Sequence, residues 1–188
     1  PGTEADFVVL SWKDTALQTL RMGRTEDKLA RGEMTEAQAL AAAARHSTGA
    51  IEVQKGYDWT GEGQLLFLPA TANPALEVDF NVEKEDYRGL VLRFTYAADY
   101  GIYRIKLDGK DMPPPGGETA EPAAQAFDFY SPELKVMDLY LGSFKLAPGK
   151  HTLKFEGVGR NPLSKGSFLG LDSVRLRERW NKKRKLLP

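Results

Sequence analysis

The sequence predicts a mainly β protein: an antiparallel β-sandwich of the jelly-roll type with an N-terminal helical extension. Three observations lead there. From Ala50 onward, apolar residues recur with a period of two in eight short runs. Turn residues separate the runs, with no helical pattern between them. Residues 1–48 differ, being dense in Ala, Leu, Arg and Glu. Alternation of this kind marks sheets with one buried and one wet face, and eight such strands without helices between them pack as two layers.

The elements follow in chain order. Phe7–Trp12 fits a strand or an anchor. Asp14 can cap a helix over Thr15–Met22, with Gly23 as its stop. A second short helix fits Thr25–Arg31 before Gly32. Thr35 and Gln38 have the capping-box spacing, in which each side chain satisfies an orphan amide of the first turn, and that helix runs to about His46. The expected strands are Ala50–Lys55, Gln64–Leu68, Leu76–Val82, Leu90–Tyr96, Tyr103–Leu107, Leu134–Leu141, His151–Gly157 and Ser167–Leu176. Asp108-Gly109 is a hairpin-turn dipeptide and Pro148-Gly149 a second turn. Met112–Ala124 holds four of the eleven prolines and reads as a long loop, either a binding loop or a tolerated insertion. The chain thus divides into a helical extension (1–48), a sandwich (49–176) and a basic tail (177–188).

Composition removes several function classes. The 188 residues are 41% hydrophobic and 28% charged, as in a globular domain that folds without staples. Cysteine is absent, which excludes disulfides, thiol nucleophiles, zinc fingers and iron–sulfur clusters. Uninterrupted apolar stretches such as Ala39–Ala44 are far too short to span a membrane. Lys plus Arg and Asp plus Glu both number 26, which argues against a protein built to coat nucleic acid. That balance is a sum over unlike parts. Arg175–Pro188 carries seven basic residues against one acid, so the remaining 174 residues are mildly acidic.

A family resemblance lies in residues 57–176. It is carried in order by Asp99-Tyr100-Gly101-Ile102, Leu107-Asp108-Gly109-Lys110, Phe127-Asp128-Phe129-Tyr130-Ser131-Pro132, Leu141-Gly142, Leu146-Ala147-Pro148-Gly149-Lys150-His151-Thr152-Leu153, Gly159-Arg160-Asn161-Pro162, Ser164-Lys165-Gly166 and Gly170-Leu171-Asp172. The region resembles the β-sandwich accessory modules of bacterial glycoside hydrolases, notably the fructan-acting and difructose-anhydride type and their planctomycete relatives. The resemblance implies a carbohydrate-binding-module-like jelly roll outside the cytoplasm, periplasmic or secreted. It implies no catalysis, since the catalytic domain of those enzymes has no counterpart here.

The candidate sites are weighed against that background. No catalytic residue is expected. His46 and His151 are the only histidines, no Gly-x-Ser-x-Gly elbow occurs, and both histidines have structural readings: His46 at a helix C-terminus and His151 bonding a neighbouring carbonyl. No cofactor is expected. Asp108, Asp111, Asp128 and Asp172 are oxygen donors of the kind calcium takes, which leaves a structural calcium open, but none lies in an EF-hand loop. Sugar binding would use aromatic rings against C–H faces with polar groups fixing orientation. Trp59, Tyr100 and Tyr130, with Tyr57 and Tyr103, are the ring candidates; Asp99, Arg104 and Asp128 are the polar ones. The competing reading makes most of these rings structural.

The two ends suggest partners. Phe7 and Trp12 in the extension, and Trp180, Lys182, Lys183, Arg184 and Lys185 in the tail, are candidate contacts to other subunits or to an anionic membrane surface. Clustered cations contribute on the order of 1 kcal/mol each near such a surface. The first functional expectation is therefore a non-catalytic structural subunit docking into a larger extracytoplasmic, membrane-surface assembly. The alternative is a carbohydrate-binding accessory module of a glycan-processing system.

Overall fold

A computed structural model of the chain describes residues 7–11, 44–45, 48–59, 63–82, 85–112, 114 and 125–178. They form twelve strands: β1 (Phe7–Ser11), β2 (Ala44–Arg45), β3 (Gly49–Gln54), β4 (Gln64–Pro69), β5 (Ala75–Val82), β6 (Asp86–Tyr96), β7 (Gly101–Leu107), β8 (Lys110–Asp111), β9 (Phe127–Asp128), β10 (Lys135–Leu146), β11 (Gly149–Arg160) and β12 (Leu169–Glu178). The first sheet has the order β10-β6-β12-β4-β3, with β1 also paired to β12. The second has the order β2-β5-β11-β7-β8, with β9 also paired to β7. Every pairing between strands is antiparallel. From β4 to β7, and again from β10 to β12, the long strands alternate between the two sheets.

The period-two pattern explains the layers. In β6, Leu90, Leu92 and Phe94 are fully buried. In β5, Leu76, Val78, Phe80 and Val82 are buried, and in β11 so are Leu153 and Phe155. The two inner faces meet where the Phe94 ring of one sheet packs edge-on against Phe155 of the other, with centroids 5.8 Å apart and planes at 86°. Phe129, between β9 and β10, closes this core against Phe94 at 4.5 Å. All eight expected strands are present, and four of them, β6, β7, β10 and β11, run several residues beyond their expected bounds. The Asp108-Gly109 turn has φ of 50° and 80° at its two central residues, the type I′ geometry that matches the twist of a two-residue hairpin.

The N-terminal segment corrects the sequence reading in part. No α-helix occurs among the described residues. The expected helices over Thr15–Met22 and Thr25–Arg31 lie outside them, as do His46 and most of the Met112–Ala124 loop. The helix expected to end near His46 does not extend that far, because Ala44 and Arg45 pair with Val78 and Glu77 on the edge of β5. A long-range ladder overrides the helix propensity of Ala44 and Arg45. Phe7–Ser11 takes the strand option and pairs with Ser173–Arg177 of β12. The sandwich thus recruits strands from the segment read as an extension.

Candidate functional site

Three connections converge at one end of the sandwich: 97–100 between β6 and β7, 129–134 between β9 and β10, and 161–168 between β11 and β12. Backbone hydrogen bonds join them. Ala97 N donates to Phe129 O and Ser131 N to Ala97 O, while Lys165 N donates to Ala98 O and Phe168 N to Asp99 O. The buried Ser164 hydroxyl adds a side-chain tie, lying 2.8 Å from Tyr100 O. Loops held this way present fixed groups rather than mobile ones, which lowers the entropy cost of binding.

Asp128 is the best-placed polar group at this end. Its Oδ1 accepts the Tyr130 backbone N–H at 2.9 Å, and its Oδ2 accepts the Asn161 side-chain amide at 2.7 Å. Asn161 is itself held by a turn. Asn161 Oδ1 accepts Leu163 N at 3.0 Å and Asn161 O accepts Ser164 N at 2.9 Å, with Pro162 at the position where a fixed φ favours that turn. The turn leaves Leu163 72% exposed at its tip. Each Asp128 oxygen keeps a further acceptor site, so an exposed carboxylate of fixed orientation faces outward. Tyr96 stands nearby. Burial, and secondly the Asp128 charge, raise the pKa of its phenol, and the Lys135 ammonium lies 5.5 Å from its ring centroid.

A buried polar chain supports this end from beneath. Trp59 Nε1 donates to Thr95 Oγ1 at 2.9 Å, Thr95 Oγ1 donates to Gln64 Oε1 at 2.6 Å, and Gln64 Nε2 donates to Tyr100 Oη at 3.0 Å and Gln54 Oε1 at 2.6 Å. Burial pushes the Tyr100 pKa up to about 12, overcoming the Gln64 hydrogen bond and helped by the Asp99 charge, so the phenol is neutral at ordinary pH. The β3–β4 connection brings Trp59 down onto the sheet and leaves Tyr57 47% exposed beside it, ring centroids 5.5 Å apart.

The structure sorts the candidate residues. Asp99, Tyr100 and Tyr130 belong to the converging connections, and Asp128 ends β9 beside them. Trp59 joins them through the polar chain. Trp59 and Tyr100 are, however, 8% and 3% exposed, which corrects their reading as stacking platforms: Trp59 covers Thr95 of the first sheet, and Tyr100 belongs to the buried core. Tyr103 is likewise in the core. Arg104 lies apart on the outer face of the second sheet, 3.9 Å from Asp111 of β8. Phe7 lies on β1, whose backbone pairs within the chain's own sheet. Trp12, Trp180, Lys182, Lys183, Arg184 and Lys185 lie outside the described residues. Asn161 and Leu163 were not singled out as site residues, although the Asn-Pro turn signal was present in the sequence.

The four acids considered for calcium occupy separate surroundings. Asp108 bonds His151, Asp111 faces Arg104, Asp128 bonds Asn161, and the fully buried Asp172 pairs with Arg93 Nε at 2.8 Å. Among the described residues no group of three or more His, Asp or Glu is placed to hold a metal ion. Among the described residues no helix is long and apolar enough to cross a membrane.

Comparison with known proteins bears on the fold. A Paenibacillus xanthan lyase contains a similar region, with a TM-score of 0.61 and 19% identity over 72% of this chain and 12% of that one. A family 35 carbohydrate binding module from an environmental isolate matches with a TM-score of 0.46 and 12% identity, over 73% of this chain and 88% of the module. A family 35 module from Clostridium thermocellum matches with a TM-score of 0.46 and 13% identity, over 93% and 100%. No family model and no curated protein matches the chain. The chain therefore has an antiparallel β-sandwich fold, and its structural neighbours include carbohydrate-binding modules and domains of glycan-active enzymes.

Proposed function

We propose that this chain is a non-catalytic carbohydrate-binding module that engages a glycan at the end of the sandwich built from 97–100, 129–134 and 161–168. The observation that carries the reading is the geometry of Asp128. Its carboxylate is exposed, and its two oxygens are fixed by Tyr130 N and Asn161 Nδ2. The acceptor sites left over suit two adjacent sugar hydroxyls, while Tyr57 and Leu163 offer apolar contact to C–H faces. Asp128 bears negative charge, so neutral sugars with vicinal hydroxyls suit it better than anionic ones. The similarity to part of a xanthan lyase supports an accessory role beside a glycan-processing enzyme. On this reading the chain works outside the cytoplasm, where polymeric glycans are met.

Two further points favour a binding role over catalysis. His151 is engaged by Asp108 and Ala147 at the far end of the sandwich. The fully buried Asp172 is paired with Arg93. The reading as a docking subunit of a membrane-surface assembly rests on Phe7, Trp12, Trp180 and Lys182–Lys185. Of these only Phe7 is described, and its strand is occupied within the chain.

A glycan array probed with the purified chain tests the proposal. Binding to one or more neutral glycans, lost in Asp128→Ala, is expected. An array without sugar-dependent signal would overturn it.

A further inference from the structure

His151 sits at the end of the sandwich opposite the candidate site, where the β7–β8 turn meets the β10–β11 turn. Its ring is 8% exposed as a residue and lies against Phe80 of β5, centroids 5.5 Å apart. Nδ1 is 2.7 Å from Asp108 Oδ2, and Nε2 is 2.9 Å from Ala147 O. A backbone carbonyl carries no proton to donate, and an ionised carboxylate carries none either. A neutral imidazole has one N–H and one bare nitrogen, so it can satisfy only one of these two acceptors. The other would then face a lone pair with a lone pair.

Asp108, from the β7–β8 turn, is the charged group bonded to the ring. β5 contributes the Phe80 ring, and the β10–β11 connection contributes the Ala147 carbonyl. On His151's own strand, Lys150 reaches Asp79 at 3.6 Å, and Thr152 N donates to Asp108 Oδ1 at 2.9 Å. The Asp108 carboxylate is thus shared between the ring and the β11 backbone. It holds the hairpin turn onto β11 from a residue at φ 50°.

We propose that His151 is an imidazolium at neutral pH and acts as a pH-sensitive latch, clamping the Asp108-Gly109 hairpin to the Ala147–Gly149 turn and releasing that clamp when it loses its proton. Burial disfavours the charge, but the Ala147 carbonyl and the Asp108 carboxylate outweigh it and hold the pKa above the ordinary histidine value. The sign follows from linkage. The raised pKa adds stability that is fully present below the ordinary histidine range and is lost as pH rises through the folded-state value. The latch opens toward alkaline pH, not acid.

The test uses the full chain carrying His46→Gln, which leaves a single imidazole to observe. Nitrogen-detected NMR of the ring at pH 7 is expected to show both nitrogens protonated, with a titration midpoint above that of an unstructured histidine. Asp108→Asn is the second variant. Asparagine tolerates the left-handed turn conformation, so the hairpin is kept while the carboxylate is lost. Its expected effect is a midpoint falling back toward the ordinary value. Amide exchange at Thr152 should also rise between pH 6 and pH 9 more steeply than base catalysis alone in the parent, and no more steeply than that in Asp108→Asn. A single protonated nitrogen at pH 7, or a midpoint unmoved by Asp108→Asn, would overturn the proposal.

Discussion

Trp59 donates its indole N–H to Thr95 Oγ1 at 2.9 Å, a contact that spans 36 positions of sequence and fastens the β3–β4 connection onto the outer face of the first sheet. Thr95 is fully buried although it stands at a wet-face position of β6. Its hydroxyl accepts from Trp59 and donates to Gln64, so it serves two buried groups at once. Thr95→Val keeps the shape and deprives both of a partner. The expected loss is roughly 2 to 4 kcal/mol. Urea denaturation should show it as a lower midpoint at unchanged slope.

Gly170 of β12 lies directly beneath this polar chain. A Cβ there would stand 2.7 Å from the Tyr100 hydroxyl and closer still to Gln64 Oε1. Gly170→Ala therefore forces the chain apart and should destabilise by about 1–3 kcal/mol. Combining it with Gln64→Ser removes the nearer obstacle, and the two penalties should add to less than their sum. A double-mutant cycle in urea checks this.

Glu156 on the outer face of the second sheet lies 3.0 Å from Lys154 Nζ and 3.1 Å from Lys106 Nζ. Burial pushes its pKa up, but the hydrogen bonds and charges of Lys154 and Lys106 win and hold it below the usual glutamate value. A depressed folded-state pKa adds stability above the ordinary glutamate range, and that stability is lost as pH falls through the folded-state value. Glu156→Gln should therefore narrow the gap between thermal midpoints measured at about pH 6 and about pH 3. An unchanged gap would contradict the assignment.

The fold was legible where the side-chain period was strong. Leu76 to Val82 and Leu90 to Tyr96 announced their strands because one face had to be buried. Ala44–Arg45 was not legible, since its pairing with β5 is set by residues more than thirty positions away. The site was legible in outline, because Asp99, Tyr100, Asp128 and Tyr130 were already the ring and polar candidates for a sugar. The burial of Trp59 and Tyr100 bears out the competing reading of those rings as structural, but alternation could not show that the β3–β4 connection folds back over Thr95. Asn161 was hidden for a related reason: its bond to Asp128 crosses 33 residues.

The central claim is that the Asp128 end of the sandwich binds a glycan. Isothermal titration of the purified chain with the array-selected oligosaccharide tests it most directly, beside Asp128→Ala, Asn161→Ala and the far-end control Asp108→Asn. Loss of Asp128 should abolish measurable binding. Loss of Asn161, which only orients that carboxylate, should weaken binding by about tenfold, or roughly 1.4 kcal/mol, and Asp108→Asn should bind as the parent does. Equal affinity in the parent and Asp128→Ala would contradict the account.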